Sequence, residues 1–127
     1  SYLTYTVRQQ DCKISFYLEN NQIHCNLDVT NEGSIGEYYI NAKSPLTNRD
    51  TIEQIQNQLN KKIKQEIIYL IDQSKQYHTD IAGIGTEIYR QHPKWWEQIK
   101  DNWDELYPQL PIEINVDTKI RRTGIIE

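Results

Sequence analysis

Asp80, Glu87, Asp101, Asp104 and Glu105 are the acids whose positions invite a chemical role, because two carboxylates can divide acid and base work in hydrolysis. Asp101, Asp104 and Glu105 fall on one wet helical face, where solvation is their ordinary state. Asp80 stands where a long helical pattern ends and a glycine-bearing segment begins, so it reads as a cap on the next helix. Hydrolysis through Asp80 or Glu87 is the competing use. No two of His24, His78 and His92 are four residues apart, and no zinc motif is formed. Gly83-Ile84-Gly85 lacks the third glycine of a dinucleotide loop and follows no strand. No nucleophile elbow or Walker loop is present, and no cofactor is implied.

The aromatic and basic residues point to contact rather than catalysis. Trp96 and Trp103 are seven apart and share a helical face, which assigns both to the core. Trp95 is offset by one position and is a candidate for an interface, where tryptophan is enriched. Tyr38 and Tyr39 lie in a polar stretch and join it as candidate contacts. Alternation places Arg121 on the polar face of the last strand and Arg122 on the apolar one. Arg121 completes the set of candidate contacts, and this arginine pair suits a partner carboxylate or a lipid phosphate.

The elements that position these residues follow from periodicity. Leu3, Tyr5 and Val7 alternate with polar residues, as do Cys12, Ile14, Phe16 and Leu18, then Ile23, Cys25, Leu27 and Val29. Asn20-Asn21 suits a two-residue hairpin turn, since Asn tolerates positive φ. That turn sets Leu18 opposite Ile23, Phe16 opposite Cys25, Ile14 opposite Leu27 and Cys12 opposite Val29. The two cysteines are then about 13 Å apart along the ladder at ~3.3 Å per residue, too far for a disulfide. Two buried, unbridged thiols are expected. Residues 31–49 are mostly connection, with a short edge strand at Tyr38–Ile40.

A long helix is expected from Asp50, paired with Glu53 in a capping box, to about Gln76. Its inward face carries Ile52, Ile55, Leu59, Ile63, Ile67, Leu70 and Ser74. Asp80–Arg90 reads as a second helix or a kinked continuation, with Gly83 and Gly85 permitting close packing. Pro93 opens a third helix with Trp96, Ile99, Trp103 and Leu106 inward, ended by Pro108 and Pro111. Ile112, Ile114, Val116, Thr118 and Ile120 mark a final strand. The whole reads as one α+β domain. An antiparallel sheet of about four strands, three N-terminal and one C-terminal, carries one long and two shorter helices on one face.

The composition agrees. The 127 residues suit a single domain over 1–127, and the net charge of −4 argues against a nucleic-acid partner. No apolar run is long enough to span a membrane, and the absence of Met suggests a piece of a longer protein.

Asp80-Ile81-Ala82-Gly83-Ile84-Gly85, His92-Pro93-Lys94-Trp95-Trp96, Trp103, Leu106-Tyr107-Pro108 and Ile120-Arg121-Arg122-Thr123-Gly124 occur in this order. The combination over Asp80–Gly124 resembles the C-terminal domain of the spore-germination Ger(x)C family, the lipoprotein C subunit of germinant receptors. The resemblance implies a non-enzymatic receptor subunit on the outer face of the spore inner membrane. Its partners would be two integral-membrane subunits, and its lipid anchor would lie outside this chain. It transfers no catalytic residue set. Three readings compete: a protein-interaction domain, a direct binder of the nutrient germinant, and a hydrolase using Asp80 or Glu87.

Overall fold

The computed structural model describes residues 2–38 and 49–126. Strand β1 runs Tyr2–Glu19 and β2 runs Gln22–Tyr38. Helix α1 (Arg49–Gln76) is followed by α2 (Ile84–Gln91), α3 (Pro93–Ile99) and α4 (Trp103–Leu106). Single 3₁₀ turns at Lys100–Asn102 and Tyr107–Gln109 flank α4, and β3 (Ile112–Ile126) closes the order. The sheet has the order β1-β2-β3.

The α+β class is as expected, with the strands arranged differently. The first two expected strands are one continuous β1, so the described residues hold three strands, not four. The β1–β2 hairpin is antiparallel. The pairing of β2 with β3 is parallel, since both advance together from the Cys25 N–H to Pro111 carbonyl bond (2.9 Å) to the Asn31–Thr118 bond. A connection that passes through a long helix permits this, because parallel strands need a crossover.

Asn20 and Asn21 have φ of 53° and 61°, the geometry of a type I′ turn that matches strand twist. Tyr17 accordingly stacks on His24 across the hairpin, with centroids 5.0 Å apart.

Two compact units are built on these elements. One comprises Ser1–Cys12, Asp28–Lys64 and Val116–Glu127, the other Lys13–Leu27 and Gln65–Asn115. In the first unit, Val29, Asn31, Gly33 and Ile35 of β2 are buried together with Thr118. Tyr5 Oη donates to Asn31 Oδ1 at 2.5 Å, and Asn31 Nδ2 donates to Thr118 Oγ1 at 3.1 Å. This polar ladder joins one residue from each strand. Gly33 makes room for it, since a Cβ there would stand 2.7 Å from the Tyr5 ring and 2.3 Å from the Thr6 carbonyl oxygen. Helix α1 contributes Gln56, whose Oε1 accepts the Ile120 N–H at 2.8 Å.

In the second unit, Cys25, Ile84, Ile88, Tyr107 and Leu110 form the core, with Ile14, Phe16, Ile23, Trp95, Trp96, Ile99, Trp103 and Ile112 packed against it. The inward residues of β1 are therefore odd-numbered at Tyr5 but even-numbered at Ile14 and Phe16. Along β2 they stay odd from Cys25 to Ile35. The pairing is offset by an odd number of residues between these stretches, as a β-bulge does. Val7 falls in that interval and is 48 % exposed, not inward as alternation implied.

Three further expectations are corrected. Cys25 is buried, but Cys12 is exposed; neither is bridged. Loss of solvent around its sulfur and the Asp28 carboxylate push the Cys12 thiol up, away from reactivity. On α1, Ile71 and Ser74 face inward while Leu70 is 53 % exposed. From Ile67 the four-residue step to Ile71 stays on the core face, and the three-residue step turns away from it. The single third helix is divided into α3, α4 and the two 3₁₀ turns, and Leu106 sits 38 % exposed at its far end. The side chain of Asp50, and with it the capping box, lies outside the described residues.

Candidate functional site

Asp80 and Glu87, the acids of the competing hydrolase reading, have structural work. Asp80 Oδ1 accepts the Ile84 N–H at 2.8 Å and Oδ2 accepts the Gly85 N–H at 2.7 Å. Both amides belong to the first turn of α2, so Asp80 caps that helix, as its position in the sequence suggests. Gly83 turns the chain between them at φ 68°, a conformation L side chains rarely adopt. Glu87 Oε2 accepts from Arg90 Nη2 at 2.7 Å and from Gln91 Nε2 at 3.0 Å. Those bonds hold its carboxyl below the usual carboxylate range. Gln91 also donates to the Ile14 carbonyl at 2.8 Å, tying α2 to β1. Neither acid lines the groove beside Trp95 or the two clefts near Arg121, and no cluster of potential metal ligands occurs among the described residues.

Trp96 and Trp103 are half-buried and pack against the core, as Trp95 does, and they meet edge to face at 5.6 Å. Gly85 lets them approach: a Cβ there would lie 2.9 Å from Trp103 Nε1 and 3.1 Å from Trp96 Cη2. Tyr107 packs beside Trp103 and contacts Ser74 Oγ. Since Ser74 already donates to the Ile71 carbonyl at 2.9 Å, the Tyr107 phenol is the donor in that pair. His78 ends α1 at φ 52°, with the Thr79 N–H on the Ser74 carbonyl and its own N–H on the Lys75 carbonyl. This is a Schellman cap with histidine where glycine is usual, held by His78 Nδ1 against the Asp104 carbonyl at 2.8 Å.

Trp95 is half-buried, and it lines a groove of about 490 Å³ at the hairpin end of the second unit. Leu18 and Ile23 supply the groove from the hairpin, and Ile99, Trp103, Leu106 and Leu110 supply it from the helical segment. Four carboxamides complete the lining: Asn21 and Gln22 at the turn, Gln98 on α3 and Gln109 in the second 3₁₀ turn. Among the described residues no ionisable side chain lines it, although a quarter of the chain is charged. Leu18 remains 50 % exposed at one of its positions and Leu106 38 % at another. Apolar walls with a few polar groups are the usual make-up of a recognition site.

The other candidate contacts are dispersed. Arg121 is exposed on β3 and places Nε and Nη2 on Glu32 Oε1 at 3.1 and 2.8 Å. Its charge is thus paired within the first unit, beside a shallow cleft with Arg8 and Ser34. Tyr38 ends β2 with its side chain outside the described residues, and Tyr39 lies wholly outside them. The arginine pair cannot be compared, because the Arg122 side chain is also outside them. Leu18, Gln98, Leu106 and Gln109 were not legible as site residues. Their only signal is apolar or amide character next to a tight turn and a broken helix.

The family model described as "Spore germination B3/GerAC like, C-terminal" matches residues 1–124. Spore germination protein KC of Bacillus subtilis (strain 168) is 34 % identical over 120 residues, 94 % of this chain and 29 % of that protein. Spore germination protein B3 of the same organism is 22 % identical over 98 % of the chain and 33 % of its own length. The chain therefore spans about a third of the length of these curated relatives. The crystal structure of the GerBC protein shares the fold, with a TM-score of 0.78 at 23 % identity over 94 % of this chain and 37 % of that one.

Proposed function

The chain belongs to the spore germination B3/GerAC-like C-terminal family, and from that premise we propose that it is an interaction domain of a germinant receptor C subunit. In this reading residues 1–127 act as one domain without catalysis. It contacts the receptor's integral-membrane subunits at the outer face of the spore inner membrane, where a lipid anchor elsewhere in the full protein holds it. Trp95, Tyr38, Tyr39 and Arg121 are its proposed contacts.

The observation that supports this most is the groove beside Trp95. It joins an anchored indole to exposed leucines, and its described lining is apolar and carboxamide. Desolvating such a surface against a partner is favourable at roughly 25 cal/mol per Å² of apolar area. The test is co-purification from spores. Full-length protein is expected to bring down the membrane subunits, and Trp95→Ala protein, equally abundant, is expected to bring down far less. Equal recovery would remove the groove from the interface.

A second reading rests on the groove's size. About 490 Å³ lies within the range of small-molecule pockets, so a nutrient germinant is the alternative occupant. Calorimetry of the domain against a germinant panel separates the two, since the contact reading predicts no heat of binding.

A further inference from the structure

We propose that the groove beside Trp95 takes an extended, uncharged segment of a partner polypeptide, with apolar side chains on the groove walls and its main chain on the carboxamides. This rests on the contact reading above and specifies the chemistry of what is contacted.

Charge decides the class of occupant. A free amino acid carries an ammonium and a carboxylate, and a lipid headgroup carries a phosphate. Either would lose hydration in the groove without meeting a counter-charge, because none of the described residues that line it is ionisable. A main chain inside a polypeptide has no such charges. Its N–H and C=O groups need both acceptors and donors, and each of Asn21, Gln22, Gln98 and Gln109 offers both from one side chain. The apolar component has its own complement. Leu18, on the hairpin, and Leu106, on the helical segment, are half exposed beside Trp95 and gain burial only when side chains from outside cover them. The anchor is already fixed, since the Trp95 indole is stacked on His92 at 3.6 Å and loses little freedom on binding.

The test uses this chain with three probes: a capped neutral peptide alternating leucine and serine, the same peptide with glutamate for leucine, and free L-alanine. Binding is read by tryptophan fluorescence and by amide shifts. The neutral peptide is expected to bind at least about tenfold more tightly than the acidic one, with shifts confined to the groove, while L-alanine is silent. Leu18→Lys and Gln98→Glu change exposed positions. Each is expected to weaken the neutral peptide about tenfold or more while leaving the melting temperature near that of the parent chain. Trp95→Ala is expected to weaken it further. Equal or tighter binding of the acidic peptide or L-alanine at the groove overturns the proposal. So does neutral-peptide binding indifferent to Leu18→Lys and Gln98→Glu, and so does silence of the neutral peptide at millimolar concentration. If co-purification from spores still depends on Trp95 in those cases, the contact reading stands and only this chemistry falls. Loss of that dependence removes the groove from the interface and this proposal with it.

Discussion

The Trp95 indole lies parallel to the His92 imidazole, with centroids 3.6 Å apart and planes 5° from parallel. His92 in turn meets Phe16 of β1 edge-on at 6.3 Å. The stack links the hairpin to the start of α3 and sets the orientation of the indole at the groove. Removing the imidazole by His92→Ala should cost about 1 kcal/mol, the value of one aromatic pair, and broaden the Trp95 environment. Urea denaturation and the near-UV circular dichroism of the tryptophans measure the two effects.

Gly85 and Gly83 should respond to alanine for different reasons. At Gly85 the gain in helix propensity, about 1 kcal/mol, opposes a methyl group forced to 2.9 Å from Trp103 Nε1. Overpacking costs typically 1–3 kcal/mol, roughly, so Gly85→Ala should be net destabilising and should shift the Trp96 and Trp103 signals. Gly83 has open space around it, but its φ of 68° should make Gly83→Ala cost about 1 kcal/mol with the tryptophans unmoved. Thermal melts with tryptophan spectra distinguish the two.

Asp80→Ala should destabilise α2 by about 1–2 kcal/mol, since two amide N–H groups lose their acceptor at once. Asp80→Asn should recover part of the loss, because one amide oxygen still accepts. Hydrogen exchange at the Ile84 and Gly85 amides is the direct readout, and both should exchange faster in the alanine variant.

The Tyr5–Asn31–Thr118 ladder should be costly to break at its centre. Asn31→Val leaves the buried Thr118 hydroxyl without its partner, at about 1–3 kcal/mol, and the part-buried Tyr5 hydroxyl without its own at a smaller cost. Adding Tyr5→Phe and Thr118→Val to Asn31→Val should restore part of that loss. A triple variant no more stable than Asn31→Val would contradict the assignment.

Tyr107 supplies a pH dependence. Burial, above all, pushes its phenol up from 10.0; the Ser74 hydrogen bond pulls it down, and Asp80 and Cys25 push it up again. The folded pKa therefore exceeds the unfolded one. The stability it confers is fully present below about pH 10 and is lost as pH rises through the folded pKa, where only the unfolded chain has readily released the proton. Tyr107→Phe should cost roughly 1 kcal/mol near neutrality and flatten the alkaline fall in stability. Burial also pushes Tyr5 up, so some alkaline fall should remain.

Local signals carried most of what could be read from the sequence. Asn20-Asn21 announced the hairpin, Asp80 the cap, and the spacing of Trp96 and Trp103 the core, because each depends on neighbours within a few residues. The parallel pairing of β2 with β3 was not legible, since alternation marks a strand's faces and says nothing of its partner's direction. The offset in β1 was hidden for a related reason. Its odd-numbered and even-numbered apolar sets looked like two strands, whereas the bonds of Tyr5 and the packing of Phe16 belong to one. Trp95, expected to stand apart from the other two tryptophans, is half-buried as they are and packs against the same core. The groove it lines was invisible, because Leu18 and Leu106 are 88 residues apart in a chain of 127 and meet only through the fold.

The central claim is that this groove is where the domain meets its partners. A photo-crosslinking residue placed at position 106 of this chain within the full-length protein, and in a second strain at position 69, tests it in intact spores. Leu106 lines the groove, while Tyr69 is 63 % exposed and does not. The account predicts a crosslink to a membrane subunit of the receptor from position 106 and none from position 69. A crosslink from position 69 with none from position 106 would contradict it.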